Sequence, residues 1–183
     1  ATESAKLSAK AAQLGLESSD LQMVRGYAAR QLRVYDDAER FFRDALEQRP
    51  NDMAAMNQLA LVLIEQDDDE KQQEALELAT KLIELRNSSA NAQATLGWVM
   101  YRSGRVGEAE SILREAIQKS NIGPEALYLA GRAFADQGND DEAATVADRL
   151  ASRISLPGIY VLRPVARRWL QSRVNAESPG VIP

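Results

Sequence analysis

Cysteine and histidine are both absent from the 183 residues. Their absence excludes disulfide bonds, thiolate and imidazole metal ligands, cysteine nucleophiles and histidine general bases. No apolar run approaches the roughly 20 residues that a membrane-spanning helix requires. We therefore expect no enzyme, no metal site, no bound cofactor and no membrane span.

Glycine, proline and aromatic residues are also scarce, and no run of alternating β-branched residues is present. Alanine, leucine, glutamate, glutamine and arginine dominate instead, and these residues favour helices over strands. The composition predicts an all-α protein. A chain without cysteine suits reducing and oxidising surroundings alike, so the compartment stays open, with a soluble cytoplasmic protein as the working expectation over a periplasmic or secreted one.

The net charge is −5, and this argues against nucleic-acid binding, which depends on neutralising phosphates. The charges are unevenly placed, with an acidic run at residues 67–70 and arginines concentrated near the C-terminus. An exposed acidic turn explains the run better than a cation site does, because the alternating ligands and the glycine of a calcium loop are missing. Solvated faces explain the remaining charges, and the alternative is a bipolar surface that selects a partner or stacks head to tail.

A repeat of 34 residues runs through the chain. Gly104 in "SGRVGEA" recurs as Gly138 in "QGNDDEA", and Gly97 recurs at the same distance as Gly131. In each repeat, apolar residues at helical spacing lie on both sides of the second glycine. That glycine suits the left-handed conformation that often ends a helix. Each repeat is therefore predicted to be two helices joined by a tight turn.

The predicted domain is a single solenoid of residues 1–175. Its four units span about residues 19–52, 53–89, 90–123 and 124–155. A partial unit over residues 1–18 precedes them, a capping helix at about residues 160–175 follows, and residues 176–183 are expected to be a flexible tail. The second unit contains an insertion between its helices, at about residues 67–74.

This pattern resembles the tetratricopeptide repeat family, whose units are 34-residue helix–turn–helix hairpins. The matching residues are Gly26, Ala38, Phe42, Ala45 and Pro50 in the first unit, Leu59, Ala60 and Leu63 in the second, Leu96, Gly97, Gly104, Ala109 and Ala116 in the third, and Leu127, Gly131, Phe134, Gly138 and Ala143 in the fourth. The resemblance implies an α-α superhelix whose first helices line a concave groove that binds a peptide or protein partner. It implies a non-enzymatic scaffold. The lysine and asparagine with which the chaperone-binding branch holds a peptide carboxylate are replaced here by Met23 and Tyr27, so we do not expect binding of a chaperone tail.

One stripe of each first helix should face this groove, and it is rich in aromatic side chains and arginines, as binding hot spots are. The predicted groove residues are Met23, Tyr27, Arg30, Asn57, Leu61, Asn91, Trp98, Tyr101, Arg102, Tyr128 and Arg132. The alternative is burial between neighbouring hairpins. Burial is favoured for Leu61 and Ile64, whereas Trp98 and Tyr101 fit either interpretation. A second functional hypothesis is a homo-oligomer that associates through the ends of the solenoid.

Overall fold

The computed structural model describes residues 18–86, 89–154 and 163–177. Throughout these ranges the secondary structure is helical, so the predicted all-α fold is confirmed. The predicted partial unit at residues 1–18 lies outside the described residues except for Ser18. Of the predicted tail at residues 176–183, residues 176 and 177 belong to the last helix and the others lie outside the described residues. The nine helices of the described ranges are α1 (Ser18–Gln31), α2 (Tyr35–Gln48), α3 (Met53–Leu63), α4 (Asp69–Arg86), α5 (Ala90–Arg102), α6 (Val106–Gln118), α7 (Pro124–Asp136), α8 (Asp140–Ile154) and α9 (Arg163–Glu177).

Helices α1 to α8 form four antiparallel hairpins, α1–α2, α3–α4, α5–α6 and α7–α8. Their first helices begin at Ser18, Met53, Ala90 and Pro124, and the units predicted from the sequence begin at residues 19, 53, 90 and 124. The second hairpin has a five-residue connection, at residues 64–68, where the other three have three residues. Only residues 67 and 68 of the predicted insertion lie in this turn, because residues 69–74 already belong to α4.

The three short turns share one hydrogen-bonding pattern. In the third hairpin, the backbone N–H of Gly104 donates to the Tyr101 carbonyl (3.1 Å) and that of Arg105 donates to the Met100 carbonyl (2.9 Å). These are the two bonds of a Schellman motif, which needs a left-handed residue just beyond the helix. Gly104 and Gly138 supply it with φ of 78° and 75°, and Arg33 supplies it in the first hairpin with φ of 60°.

The two helices of a hairpin approach closely at a glycine in the first helix. A Cβ atom on Gly97 would lie 2.6 Å from Cγ of Leu113, and one on Gly26 would lie 2.5 Å from Cε1 of Phe42. Atoms in ordinary contact are about 3.5–4.0 Å apart, so neither position has room for a side chain. Each glycine thus lets a large buried residue of the second helix lie against the first helix.

The hairpins stack through a main hydrophobic core, in which α3, α5 and α7 lie side by side, and a smaller cluster of Met56, Leu82 and Ala92. Beyond the last hairpin, α9 contributes Trp169, whose ring meets that of Tyr128 edge to face at 6.0 Å. Because this contact and the buried Ala166 continue the core, α9 acts as the end cap. None of the described helices is long and apolar enough to cross a membrane.

Ion pairs cover the outer surface formed by the second helices. Glu39 accepts hydrogen bonds from Lys71 (2.8 Å), Gln66 (2.9 Å) and Arg43 (3.0 Å). Burial alone would raise the pKa of Glu39, but these three donors hold it below the usual glutamate value. The carboxylate therefore joins the first and second hairpins in its charged form.

Two of the C-terminal arginines have structural partners. Arg149 donates to the carbonyl oxygens of Ile117 and Lys119, and Arg153 donates to those of Ser120 and Ile122. These carbonyls lie at the end of α6 and just beyond it, where a helix leaves its acceptors unpaired. Both guanidinium groups thus cap the neighbouring hairpin, in addition to making this end of the chain basic.

The acidic run at residues 67–70 is exposed and lies where α4 begins. Asp68 accepts a hydrogen bond from the backbone N–H of Lys71 (3.0 Å) and so caps that helix. Negative charge is favourable at a helix N-terminus, and this explains the concentration of carboxylates there. Nowhere in the described ranges do three or more acidic residues gather in an arrangement that could hold a metal ion.

Candidate functional site

The first helices α1, α3, α5 and α7 present a common surface with two open hollows. We call one the arginine hollow, a space of about 280 Å³, and the other the amide hollow, a space of about 440 Å³. The arginine hollow is lined by Arg30, Gln31, Arg33, Tyr35, Glu65, Trp98, Arg102, Tyr128, Leu129, Arg132 and Val165. The amide hollow is lined by Tyr27, Asn57, Gln58, Asn91, Thr95, Gly123, Pro124, Glu125, Ala126 and Leu129.

A polar bridge between α1, α3 and α7 lies between the two hollows. Nη1 of Arg30 donates to Gln58 Oε1 (2.5 Å) and to Glu125 Oε1 (2.5 Å), and Gln58 donates to the other oxygen of Glu125 (3.1 Å). Arg30 belongs to the first hairpin and Glu125 to the fourth, so the solenoid curves enough to bring these hairpins into contact. Arg30 is only 7% exposed, and its charge is largely taken up by this bridge.

The arginine hollow contains a carboxylate held by two donors from α5. Nε1 of Trp98 donates to Glu65 Oε1 (3.2 Å), and Arg102 donates to Glu65 Oε2 (2.9 Å). The Arg102 guanidinium also lies 5.8 Å from the centre of the Trp98 ring, within the range of a cation–π contact. The hollow therefore already holds one carboxylate in a setting of indole and guanidinium donors.

Two tyrosines add hydroxyl groups to this wall. Burial, followed by the negative charge of Glu65, raises the pKa of Tyr35 above its usual value. Arg132 donates to the hydroxyl oxygen of Tyr128 (3.1 Å). The Tyr35 hydroxyl stays protonated at neutral pH and can donate a hydrogen bond to an anion.

The amide hollow offers neutral donors. Thr95 donates to the Oδ1 of Asn57 (2.7 Å), and the backbone N–H of Gly123 donates to the Oδ1 of Asn91 (2.7 Å). These bonds fix the two amide oxygens, and the NH₂ groups of both asparagines donate to none of the described residues. Burial, followed by the charge of Glu125, raises the pKa of Tyr27, which lines the same hollow. Such groups can bind the carbonyl oxygens of an extended peptide.

Eight of the predicted groove residues line the hollows. Arg30, Trp98, Arg102, Tyr128 and Arg132 line the arginine hollow, and Tyr27, Asn57 and Asn91 line the amide hollow. Trp98 and Tyr128 are each only 5% exposed, so they form the floor of their hollow and present little surface.

The other three predicted groove residues lie outside both hollows. Met23 and Leu61 are buried in the hydrophobic core, Leu61 with 1% of its surface exposed, and Ile64 is buried with them. Burial between hairpins, the alternative favoured for Leu61 and Ile64, describes their positions. Tyr101 is half-buried and packs against Trp98, with 5.7 Å between ring centres.

Several hollow residues were not predicted from the sequence. Gln58 and Glu125 belong to the bridge, which depends on a contact between residues 95 positions apart in the chain. Glu65 and Tyr35 lie at helix ends, outside the stripe considered. Arg33 had a detectable signal, because it occupies the turn position at which the third and fourth hairpins have glycine.

Known proteins resemble the chain in both sequence and structure. A family model for the tetratricopeptide repeat matches residues 23–92 and 95–157. A curated relative, the interferon-induced protein with tetratricopeptide repeats 3 of Mus musculus, is 21% identical over 168 residues; the match covers 89% of this chain and 42% of that protein, so the chain spans less than half of its length.

The chain also resembles several solved structures, among them those of three proteins. The protein TTC0263 of Thermus thermophilus is 16% identical, with a TM-score of 0.49 over 86% of this chain and 99% of that one. MamA is 19% identical, with a TM-score of 0.48 over 90% and 98% of the two chains. YrrB, described as having an unusual peptide-binding site, is 20% identical, with a TM-score of 0.47 over 82% and 75%.

Proposed function

Because the chain belongs to the tetratricopeptide repeat family, whose members are generally non-enzymatic interaction scaffolds, we propose that it binds a peptide segment of a partner protein on the surface formed by its first helices. The two open hollows on either side of the bridge carry this proposal. A surface with fixed amide groups at one end and guanidinium groups at the other suits an extended chain, which presents backbone carbonyls and side chains along its length. No catalytic step is proposed.

Site-specific crosslinking tests this proposal, and the absence of native cysteine makes it clean. Single cysteines replace Gln31 at the arginine hollow, Asn91 at the amide hollow, and the exposed Gln73 on the second helix α4 as the matched control. Each is labelled with a photoreactive benzophenone and exposed to an extract of the native cells. We expect crosslinked peptides from the first two positions and none from the third. Equal capture at the control position, or none at the hollows, would overturn the proposal.

Self-association through the solenoid ends is a second candidate, favoured by one observation. Three apolar side chains of the first hairpin are exposed: Leu32 by 75%, Val24 by 46% and Val34 by 45%. Large apolar side chains left exposed on a stacked repeat are typical of a surface that packs against another protein. Sedimentation velocity at two concentrations should then show a dimer for the native chain and a monomer for Leu32→Ser. A monomer at both concentrations for the native chain would exclude this candidate.

A further inference from the structure

The charges of the arginine hollow name the class of peptide, and this inference rests on the proposed function. We propose that the arginine hollow selects an acidic segment, one whose aspartate or glutamate side chains pair with Arg33, Arg102 and Arg132.

The lining of the hollow is basic although the whole chain is acidic. Four arginines and one acidic residue, Glu65, line it, whereas the chain carries a net charge of −5. Because arginines outnumber acidic residues in this lining, the cleft concentrates a positive field, so an anionic group is attracted there despite the overall charge. Three of these arginines already have carboxylate neighbours: Arg30 has Glu125 at 2.5 Å, Arg102 has Glu65 at 2.9 Å and Arg132 has Asp136 at 3.5 Å.

Arg33 is the cation with no such neighbour. No hydrogen bond or ion pair joins its side chain to any residue in the described ranges, and it is exposed at the edge of the hollow. An incoming carboxylate would meet this guanidinium without displacing an existing partner. Guanidinium groups bind carboxylates through paired, parallel N–H groups, which lysine cannot offer.

The backbone of Arg33 shows that this cation is held at a cost. With φ of 60° it adopts the left-handed conformation that Gly104 and Gly138 adopt at the equivalent turns. A side chain is strained there and glycine is not. A Cβ on either glycine would meet nothing within 4 Å, so these turns differ from the first in residue choice and not in available space. An outlier of this kind, beside an open hollow, points to a role for its side chain.

Glu65 shows which ligand chemistry the hollow accepts. Its two carboxylate oxygens take hydrogen bonds from the Trp98 indole and the Arg102 guanidinium, so these donors already suit a carboxylate. Glu65 is also the only negative charge in the lining, and it occupies donors that a ligand could use. The three cations named in the proposal come from three different hairpins. Spaced carboxylates along a peptide match this arrangement better than a single compact phosphate does.

The primary test compares three synthetic probes on the full chain by isothermal titration calorimetry. The first is a short peptide of alternating glutamate and glycine with blocked ends; in the others, glutamine or phosphoserine replaces glutamate. We expect the glutamate peptide to bind about tenfold more tightly than the glutamine peptide, a difference of about 1.4 kcal/mol. Added salt should weaken binding of the glutamate peptide and leave binding of the uncharged glutamine peptide unchanged. Equal binding of the glutamate and glutamine peptides, or tighter binding of the phosphoserine peptide, would overturn the proposal.

Variants of the turn then separate the role of the side chain from that of the backbone. Arg33→Gly and Arg33→Ala should each lower the affinity for the glutamate peptide about three- to tenfold. Only Arg33→Gly should raise the melting temperature, because it alone relieves the left-handed strain. Arg105→Ala, which removes the same charge at the turn of the third hairpin, is the matched control and should leave the affinity for the glutamate peptide unchanged. Unchanged affinity in both Arg33 variants would refute the role of this arginine.

A gain of affinity provides a further test that unfolding cannot imitate. Glu65→Gln removes the negative charge from the hollow and keeps an oxygen that can accept the hydrogen bond of Trp98. It should therefore raise the affinity for the glutamate peptide about threefold. Weaker binding in this variant would contradict the assignment. If no peptide binds while the cysteines at the hollows still crosslink a partner, the acidic class is wrong and the scaffold function stands. If both experiments fail, the two proposals fall together.

Discussion

Replacing Gly26 with alanine adds a single methyl group that has two opposing effects on the stability of the protein. Within α1, alanine is favoured over glycine by about 1 kcal/mol of helix propensity. The new Cβ, however, would lie 2.5, 2.7 and 2.8 Å from three atoms of the Phe42 ring. That ring is fully buried and packs edge to face against Tyr27 at 5.7 Å, so it has little freedom to withdraw.

The sign of the result follows from these magnitudes. Forcing an extra methyl group into a packed core costs about 1–3 kcal/mol, and occasionally more. A rigid aromatic neighbour at this distance places Gly26→Ala in the upper part of that range. We therefore expect a net loss of about 1–2 kcal/mol in the free energy of unfolding. For a chain of this length, each kcal/mol lowers the melting temperature by about 2–4 °C.

Urea unfolding followed by circular dichroism measures this difference, with Gly107→Ala as the control. Gly107 lies in the first turn of α6, and a Cβ there would meet nothing within 4 Å, so the same substitution should stabilise the protein. Because hairpins of a solenoid can unfold separately, the slope of the transition should be compared between variants. If both substitutions stabilise the chain equally, α1 and α2 do not approach each other closely at Gly26, and the reasoning is refuted. Phe42→Leu should recover part of the loss in the Gly26→Ala background.

Three further predictions concern buried and paired side chains. Trp98→Ala should lower the free energy of unfolding by about 3 kcal/mol or more, because this ring is buried beneath the arginine hollow and its removal leaves a cavity. Binding studies should therefore use Arg102 variants. Arg153→Ala should cost about 1–3 kcal/mol by leaving two carbonyls without their charged donor. The pKa of Glu39 is lowered by folding, so its contribution is complete above the unfolded pKa of about 4.3 and disappears as the pH falls through the lower folded value. Glu39→Gln should flatten this part of the stability–pH curve.

Each of these three has a clear contrary result. A Trp98→Ala variant as stable as the native chain would show that the ring does not contribute to the packed core and belongs to the open groove. An Arg153→Ala variant with unchanged urea midpoint would show that its carbonyls are equally well hydrated without it. An acid slope that is identical with and without Glu39 would mean that its donors do not favour the charged form when the chain is folded.

The hairpins could be predicted from the sequence because they depend on local rules. Gly97 and Gly131 mark helix crossings, and Gly104 and Gly138 mark left-handed turns, so each kind of glycine recurs at the interval that one repeat requires. The bridge from Arg30 to Glu125 could not be predicted in this way. It depends on how small rotations between successive hairpins accumulate into curvature, and no short sequence pattern specifies that sum.

Trp98 shows why the groove stripe was only partly predictable. Helical spacing assigns a residue to one side of its helix. The Trp98 ring does lie on the side of α5 that contributes to the surface of the first helices. Spacing does not say how much of that side the neighbours cover. Glu65 from the turn after α3 and Tyr101 from α5 enclose the ring, and the indole N–H finds its partner within the chain. The side of the helix on which Trp98 lies was therefore predictable from the sequence, whereas the exposure of its ring depends on packing between hairpins.

The position that best separates folding from function is one where the repeat pattern is broken. At the turn of a helical hairpin, local rules favour glycine, and two of the three Schellman turns follow them. Arg33 departs from this rule at the edge of the arginine hollow, and its guanidinium forms no hydrogen bond or ion pair with the described residues. In sequences that fold well, local preferences such as turn residues agree with the overall fold, and departures from this agreement tend to occur at functional sites. A substitution to glycine here should make the protein more stable and a poorer binder, and this opposition is difficult to explain if Arg33 serves the fold alone.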